Sequence, residues 1–458
     1  HTRWLSDWSS DVCSSDLMST DSSVPDAARE PLEWRAALEA ILAAAGPTEA
    51  EPCPLETAPG RVLAAPVYSH MNVPPFDNSA MDGFALRAAD TAAATAERPA
   101  RLRVGGCSAA GAPWNGFLGP GEAVEIMTGA PMPAGADSVV RVEDTRRCTD
   151  GPDVLLVASP VRESAHVRAA GGDTRAGDLL AREGDALASP LLGLLASCGV
   201  GRVSVHRRPR VVLAVGGDEL ADAGRNDAGD GLPHGMIFDS NRHLLRGLLA
   251  EHGFGCDILP NLPDDPAAMR SVLEGALDHD VVLTTGGVSM GRHDHVRSVL
   301  GQLGAVEVFW RVNQQPGGPM LFARRGRTSF IGLPGNPVSC WVCTVVYVLP
   351  LLRRLSGLPE VEAPRVRVTV GEEMRKPHGK VVFVRASLGR DVAGRLVAFS
   401  TGAQDSNRIR SLGGHHGLLV FPPTSRCLAP GDEAEFLVTD PAAVLREVGD
   451  IRQTEPHP

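Results

Sequence analysis

Aromatic side chains are scarce in this 458-residue chain: 12 Phe, 6 Trp and 2 Tyr make up only 4% of it. That leaves few of the stacking platforms on which single-stranded nucleic acids lie. Basic charge is also short, with 44 Lys and Arg against 55 Asp and Glu and a formal net charge of -11. A nucleic-acid binder presents a basic footprint, so no nucleic-acid partner is expected. The nine cysteines follow no framework spacing and their number is odd, which disfavours a secreted disulfide scaffold and fits a reducing cytoplasm. Cys340 and Cys343 form a C-x-x-C inside an apolar run, where a buried helix face is expected in preference to a redox pair. No second C-x-x-C completes a zinc site. The apolar run Val338 to Leu352 contains Pro350 and is short for a membrane span, so no membrane partner is expected.

Several nucleotide-handling signatures are missing too. GGVSMG lacks the G-x-G-x-x-G spacing, and no G-x-x-x-x-G-K-[ST] occurs, which disfavours dinucleotide and P-loop sites. The GGDEL turn offers no serine for a nucleophile elbow. His293 and His295 flank Asp294, a weak metal signal. His415 and His416 fall in a turn and are expected to be solvated.

What is present indicates a multi-domain α/β and β protein. The length implies about three domains, and 50 Gly and 36 Pro imply many turns. Residues 1–17 lack the basic and apolar regions of a secretion signal and read as upstream sequence; 18–30 read as disordered and 446–458 as a tail. PLEWRAALEAILAAAG has helical apolar spacing up to Gly46. Residues 31–63 and 167–208 are expected to form a discontinuous helical linker domain, the second part carrying a helix with Ser189 as N-cap and Pro190 at its first position. A β-rich insertion domain is expected over 64–166, a parallel-sheet α/β domain over 209–357, and a β-barrel or β-sandwich over 358–445.

Three turns within the α/β region share one design. Each follows an apolar run with a glycine pair or Pro-Gly, then polar residues, then a helix: VVLAVGGDEL (Val211 to Leu220), VVLTTGGVSMGRHDH (Val281 to His295) and TSFIGLPGNPVS (Thr328 to Ser339). In a parallel sheet such turns emerge at the carboxyl edge, where glycine admits a ligand to the backbone and helix N-termini favour anions. Substrate contacts are therefore expected from Gly216, Gly217 and Asp218, from Gly286, Gly287 and Ser289, and from Pro334, Gly335, Asn336 and Ser339. Asp218, Glu219 and Asp294 would face those anions unfavourably unless a divalent cation stands between. The other reading is that each acid caps a helix. Asp239 and Asn241 of FDSNR read mainly as a helix start, and Asn336 as an N-cap.

PPFDNSAMDGFALR, IMTGAPMPAGADSVV, GGDEL, DSNR, TTGGVSMGRHD, LPGNPVS and TGAQDSNRIRSL occur in an order and spacing that resemble the molybdopterin molybdenumtransferase family, which includes the E domain of gephyrin. The resemblance runs from about residue 30 to 440. It implies the last step of molybdenum cofactor synthesis: adenylylated molybdopterin is cleaved in the presence of molybdate and a divalent cation such as Mg2+, molybdenum enters the dithiolene, and AMP leaves. It also implies an elongated homodimer whose site takes residues from both subunits, with a molybdopterin adenylyltransferase and acceptor molybdoenzymes as further partners.

Position by position, Asp82 and Thr128 resemble the residues contributed by the second subunit, and Asp173 another family acid. Glu219, Asp264 and Asp294 resemble the acids of the main cleft and are the implied metal ligands. Ser406 resembles a polar residue presented by the C-terminal domain. Where the family often carries three lysines, RVNQQPGGP places Arg311, Gln315 and Gly318. Arg311 keeps the charge and gains a bidentate fork, so it joins the implied catalytic set; Gln315 becomes a neutral substrate contact. Two lost cations keep open an alternative, a carrier or scaffold that binds the cofactor without inserting metal. An adenylyltransferase is a third reading, which the additional domains disfavour.

Overall fold

The computed structural model describes residues 30–148, 151–222, 232–288 and 295–442. They fall into two compact units: Gly46–Arg208 with Arg353–Glu360, and Pro209–Leu352 with the described parts of 1–45 and 361–458. Among the described residues the α-helices are α1 (Trp34–Ala43), α2 (Ser189–Ser197), α3 (Asn241–Glu251), α4 (Pro266–Glu274), α5 (Val296–Gln302), α6 (Pro337–Cys343) and α7 (Leu349–Leu355).

The unit centred on 46–208 is mostly β. A six-stranded sheet runs in the order Ser138–Arg141, Gly83–Leu86, Glu122–Ile126, Ala100–Ser108, Gly151–Val157, Thr145–Cys148. Phe84, Leu86, Leu102, Val140, Leu155 and Val157 form its core. Gly83 is needed for the close approach of two strands, because a Cβ there would meet the Val140 carbonyl oxygen at 1.9 Å. The expected helical character of 167–208 reduces to α2, which starts one residue after Ala188 with a proline in its first turn. Around it lie short antiparallel ribbons, Ala50–Pro54 with Arg202–His206 and Val67–Tyr68 with Leu179–Ala181. The segment between Val167 and Ala188 is punctuated by Gly-Asp turns and has no 3.6-residue apolar period, which explains why it does not coil.

The α1 helix joins the other unit rather than the linker. Trp34, Ala37, Leu38 and Ile41 are its buried stripe. Trp34 packs edge-on against Phe383 with ring centroids 5.4 Å apart, and Arg35 pairs with Glu435 at 2.9 Å. An aromatic anchor and an ion pair on the same partner explain this allegiance better than proximity in sequence.

The α/β layer contains β1 (Val211–Val215), β2 (Asp257–Ile258), β3 (Val281–Thr285), β4 (Val306–Trp310), β5 (Leu321–Arg325) and β6 (Thr328–Leu333), in the order β2-β1-β3-β6-β5-β4. The first four in that order are parallel, and β1, β3 and β6 among them are buried along their whole length. The edge differs from the all-parallel expectation: β4 and β6 both pair antiparallel with β5. The hairpin at Gly326, with φ +57°, reverses the chain between β5 and β6. Core residues Val212, Leu273, Val282, Val299 and Phe330 unite the sheet with α4 and α5.

The apolar run predicted to be a buried helix is one. From Pro337 to Leu355 it is a 19-residue helical stretch, 89% buried along its most apolar window and interrupted by a π turn over Thr344–Val348. Beyond it come β7 (Arg365–Val370), β8 (Val381–Arg390), β9 (Leu396–Ser400), β10 (Gly417–Phe421) and β11 (Glu433–Val438). Their pairings β8-β9-β7-β11-β10-β8 close a five-stranded barrel, so the barrel alternative holds. Neither histidine expected to be solvated is free. His415 packs on Trp341 and donates from Nδ1 to the Leu412 carbonyl, and burial pushes its imidazole below the ordinary histidine range. His416 Nδ1 accepts the Leu388 N–H at 2.9 Å.

Candidate active site

The three turns converge at the carboxyl ends of β1, β3 and β6 on a cleft of about 690 Å³. From the first turn it is lined by Gly216, Gly217 and Glu219, from the second by Gly286 and Gly287, and from the third by Pro334, Gly335 and Asn336. Gly217 has φ +131°, and a Cβ there would fall 2.4 Å from Glu219 Oε2. Only glycine lets the Glu219 carboxylate fold back over the turn. Gly286 and Gly287 are also left-handed, at φ +77° and +68°.

A second carboxylate reaches the cleft from the segment before α4. There two adjacent acids divide the work: Asp265 caps α4 by accepting the Ala268 N–H at 2.8 Å, and Asp264 lines the cleft. Among the described residues neither Glu219 nor Asp264 has an ion-pair partner or a side-chain hydrogen bond. The N–H groups of Gly216, Gly217 and Gly286 are already donated to the carbonyls of Thr285, Leu262 and Leu333, so these turns admit a ligand through their missing side chains, and the two carboxylates supply oxygen donors suited to a divalent cation. Asp294 and Ser289 lie outside the described residues, as does His293. Among the described residues no three His, Cys, Asp or Glu side chains meet in a metal cage.

Other expected positions sit elsewhere. Asp218 is exposed and is not among the residues that line the cleft. Ser339 is buried in α6, 3% exposed. Asn336 occupies the N-cap position of α6 but makes no capping bond; its Nδ2 donates to Ser406 Oγ at 2.8 Å. Ser406 thereby tethers the third turn to the barrel side, and its neighbour Asn407 lines the cleft in its place. Arg311 borders a separate cavity of about 170 Å³ with Gly318 and Lys380; Pro319 lines both this cavity and the main cleft. Its backbone is left-handed at φ +79°, an uncommon and strained state for a non-glycine residue, and its guanidinium lies 5.6 Å from the Trp310 ring centre. Gln315 pairs with His378 at another cavity of about 180 Å³.

Asp82, Thr128 and Asp173 belong to the other unit. Asp82 Oδ1 accepts both the Thr128 N–H, at 2.6 Å, and the Thr128 hydroxyl, at 2.8 Å. These bonds, the backbone one foremost, hold the exposed Asp82 carboxyl below its ordinary range. Asp173 is exposed, and its N–H donates to the Val73 carbonyl at 3.0 Å.

Sequence reasoning passed over one wall of the cleft. Phe238, Asp239, Ser240 and Asn241 all line it. The helix-start reading of FDSNR is correct as far as it goes: Asp239 accepts the Arg242 N–H at 3.0 Å and pairs with its guanidinium. Asn241 does more, donating Nδ2 to the Gly335 carbonyl at 2.7 Å while its Oδ1 stays buried without a partner. A short polar cap motif following an apolar pair was the available signal.

Comparison with known proteins agrees with this geometry. Family models described as the MoeA N-terminal region (domain I and II), a probable molybdopterin binding domain and the MoeA C-terminal region (domain IV) match residues 32–199, 212–354 and 367–439. The chain is 34% identical to molybdopterin molybdenumtransferase 2 of Mycobacterium tuberculosis, over 83% of this chain and 93% of that protein. It is also 34% identical to the molybdopterin molybdenumtransferase of Haemophilus influenzae, over 79% and 87%. A crystal structure of the molybdopterin biosynthesis MoeA protein of Pyrococcus horikoshii superposes with a TM-score of 0.75 at 29% identity, covering 89% of this chain and 99% of that one. A glycine-turn cleft with two free carboxylates, embedded in three consecutive matching regions, makes this chain a member of the molybdopterin molybdenumtransferase family.

Proposed function

We propose that the chain inserts molybdenum from molybdate into adenylylated molybdopterin and releases AMP. The observation that carries this reading is the cleft itself, where Glu219 and Asp264, without cationic partners among the described residues, stand beside the Gly216–Gly217 and Gly286–Gly287 turns. The missing side chains of those turns leave room for the linked phosphates of the substrate, and the carboxylates suit a divalent cation, Mg2+ in the first instance. When bound, that cation supplies neutralisation of the phosphate charge. Glu219 and Asp264 hold it, the glycine turns orient the phosphates, and the Asn336 to Ser406 bond keeps the third turn in place. Asp294, from the design of the second turn and from the resemblance, and Ser289, from that turn, belong to the same proposed set. Arg311, which borders its own small cavity, is the proposed cation for the oxyanion; Gln315 faces a different cavity and is left out of this set.

The finer proposals follow the same reading. The active form is a homodimer, with Asp82, Thr128 and Asp173 of a second copy completing the chemistry. The protein works in the cytoplasm, receiving substrate from a molybdopterin adenylyltransferase and passing product to acceptor molybdoenzymes.

The test is AMP release from adenylylated molybdopterin by the purified chain, with and without molybdate and Mg2+, followed by reconstitution of a cofactor-free molybdoenzyme. The expected result is AMP release that needs both additions and yields an active acceptor. Tight binding without either product would identify a carrier and overturn the transferase reading.

A further inference from the structure

Among the described residues one aromatic side chain borders the large cleft. Phe238 stands on the short strand Ile237–Phe238, which pairs in parallel with Leu220–Ala221. It is 46% exposed, and its neighbour Ile237, also bordering the cleft, is 55% exposed. The hydrophobic core of the layer closes without either of them. Two large apolar groups open to solvent stand beside a wall of glycine, carboxylate and amide, and among the described residues neither belongs to the core of the layer.

The backbone beneath Phe238 is tethered at both sides. The Ile237 N–H donates to the Glu219 carbonyl and the Asp239 N–H to the Ala221 carbonyl, both at 2.9 Å. Asp239, 4% exposed, is locked to Arg242, and Asn241 is bonded to Gly335. Phe238 is thus presented on a fixed strand that runs from the Glu219 turn to the Gly335 turn. An aromatic face held beside an anion-binding region suits a ligand with a flat ring joined to phosphates.

We propose that Phe238 is the stacking face for a flat nitrogen heterocycle of the substrate and so a specificity-determining residue. This inference rests on the transferase reading, whose substrate carries two such rings, an adenine and a pterin. Stacking on a protein aromatic tolerates different rings, and truncation of such a face weakens binding by about tenfold.

The experiment is calorimetric titration of the full-length chain with three probes: AMP, a hydroxymethylpterin and inorganic pyrophosphate. Phe238→Ala is expected to weaken AMP or the pterin by about tenfold, naming the ring that stacks, while pyrophosphate stays within about twofold. Phe238→Trp, which keeps the face, is expected to restore that affinity. Unchanged binding of both rings by Phe238→Ala overturns the proposal, as does wild-type protein that binds neither ring. Equal weakening of pyrophosphate also overturns it, because the residue would then be shaping the cleft rather than reading a ring. Lack of molybdate-dependent AMP release by the wild-type chain would refute the transferase reading separately, whether or not ring binding depends on Phe238.

Discussion

One methyl group at position 217 would collide with the Glu219 carboxylate and strain a backbone that only glycine adopts readily. Gly217→Ala is therefore expected to cut AMP release at least tenfold while lowering the melting temperature by only about 2–4 °C, the shift corresponding to ~1 kcal/mol in a domain of this size. Adding Glu219→Ala should cost little more, since both changes remove the same carboxylate from the same place. Activity measured on the single and double variants decides this; additive losses would mean that the glycine acts on something else. The glycines were legible because each follows an apolar strand and little else can turn so sharply there. Which acid faces the cleft was not legible: Asp218 and Glu219 are adjacent, and direction depends on a φ of +131° at the preceding residue. Asn241 was hidden for another reason, since a cap sequence looks the same whether or not its amide also reaches a neighbouring turn.

Among elements, the α6 helix shows how composition can suggest chemistry that burial forbids. Cys340 and Cys343 are both fully enclosed; burial drives the Cys340 thiol well above its ordinary range and the Cys343 thiol up to about 12. Cys340 Sγ donates to the Pro334 carbonyl at 2.7 Å, so this thiol supports the third turn of the cleft. Alkylation of the native protein near pH 8 is expected to modify the exposed Cys107 and leave Cys340 and Cys343 untouched until unfolding, because neither thiolate nor access is available. Peptide mass spectrometry reads this directly, and labelling of Cys343 at the rate of Cys107 would contradict a buried helix face. The parallel strands and this helix were readable from continuous apolar runs. Strand β5 was not, because its sequence LFARR ends in two arginines, and the burial of its first three residues comes from pairing between β4 and β6. The linker's ribbons were equally invisible, being two to five residues long and held by pairing partners more than a hundred residues away.

For the whole molecule, the proposed homodimer makes a prediction that does not depend on any distance. Asp82 lies in one compact unit and Asp264 in the other. Asp82→Ala and Asp264→Ala homodimers should each be inactive, yet unfolding and refolding them together should restore on the order of a quarter of wild-type AMP release, since half the dimers are mixed and each mixed dimer holds one intact pair. Mixtures that remain inactive would show that both acids must come from a single subunit. The α/β layer was legible because continuous apolar runs alternate with helical patterns, and the barrel because short β-type runs lie between turn residues. The allegiance of α1 was not, since it depends on Trp34 meeting Phe383 almost 350 residues away. The barrel has one more consequence. Its first and last strands, β7 and β11, lie side by side, with Arg365 opposite Leu437, so the chain enters and leaves the ring through a single doorway about 5 Å wide. The ring is therefore a cassette: relatives could exchange it through two adjoining junctions without rethreading any strand.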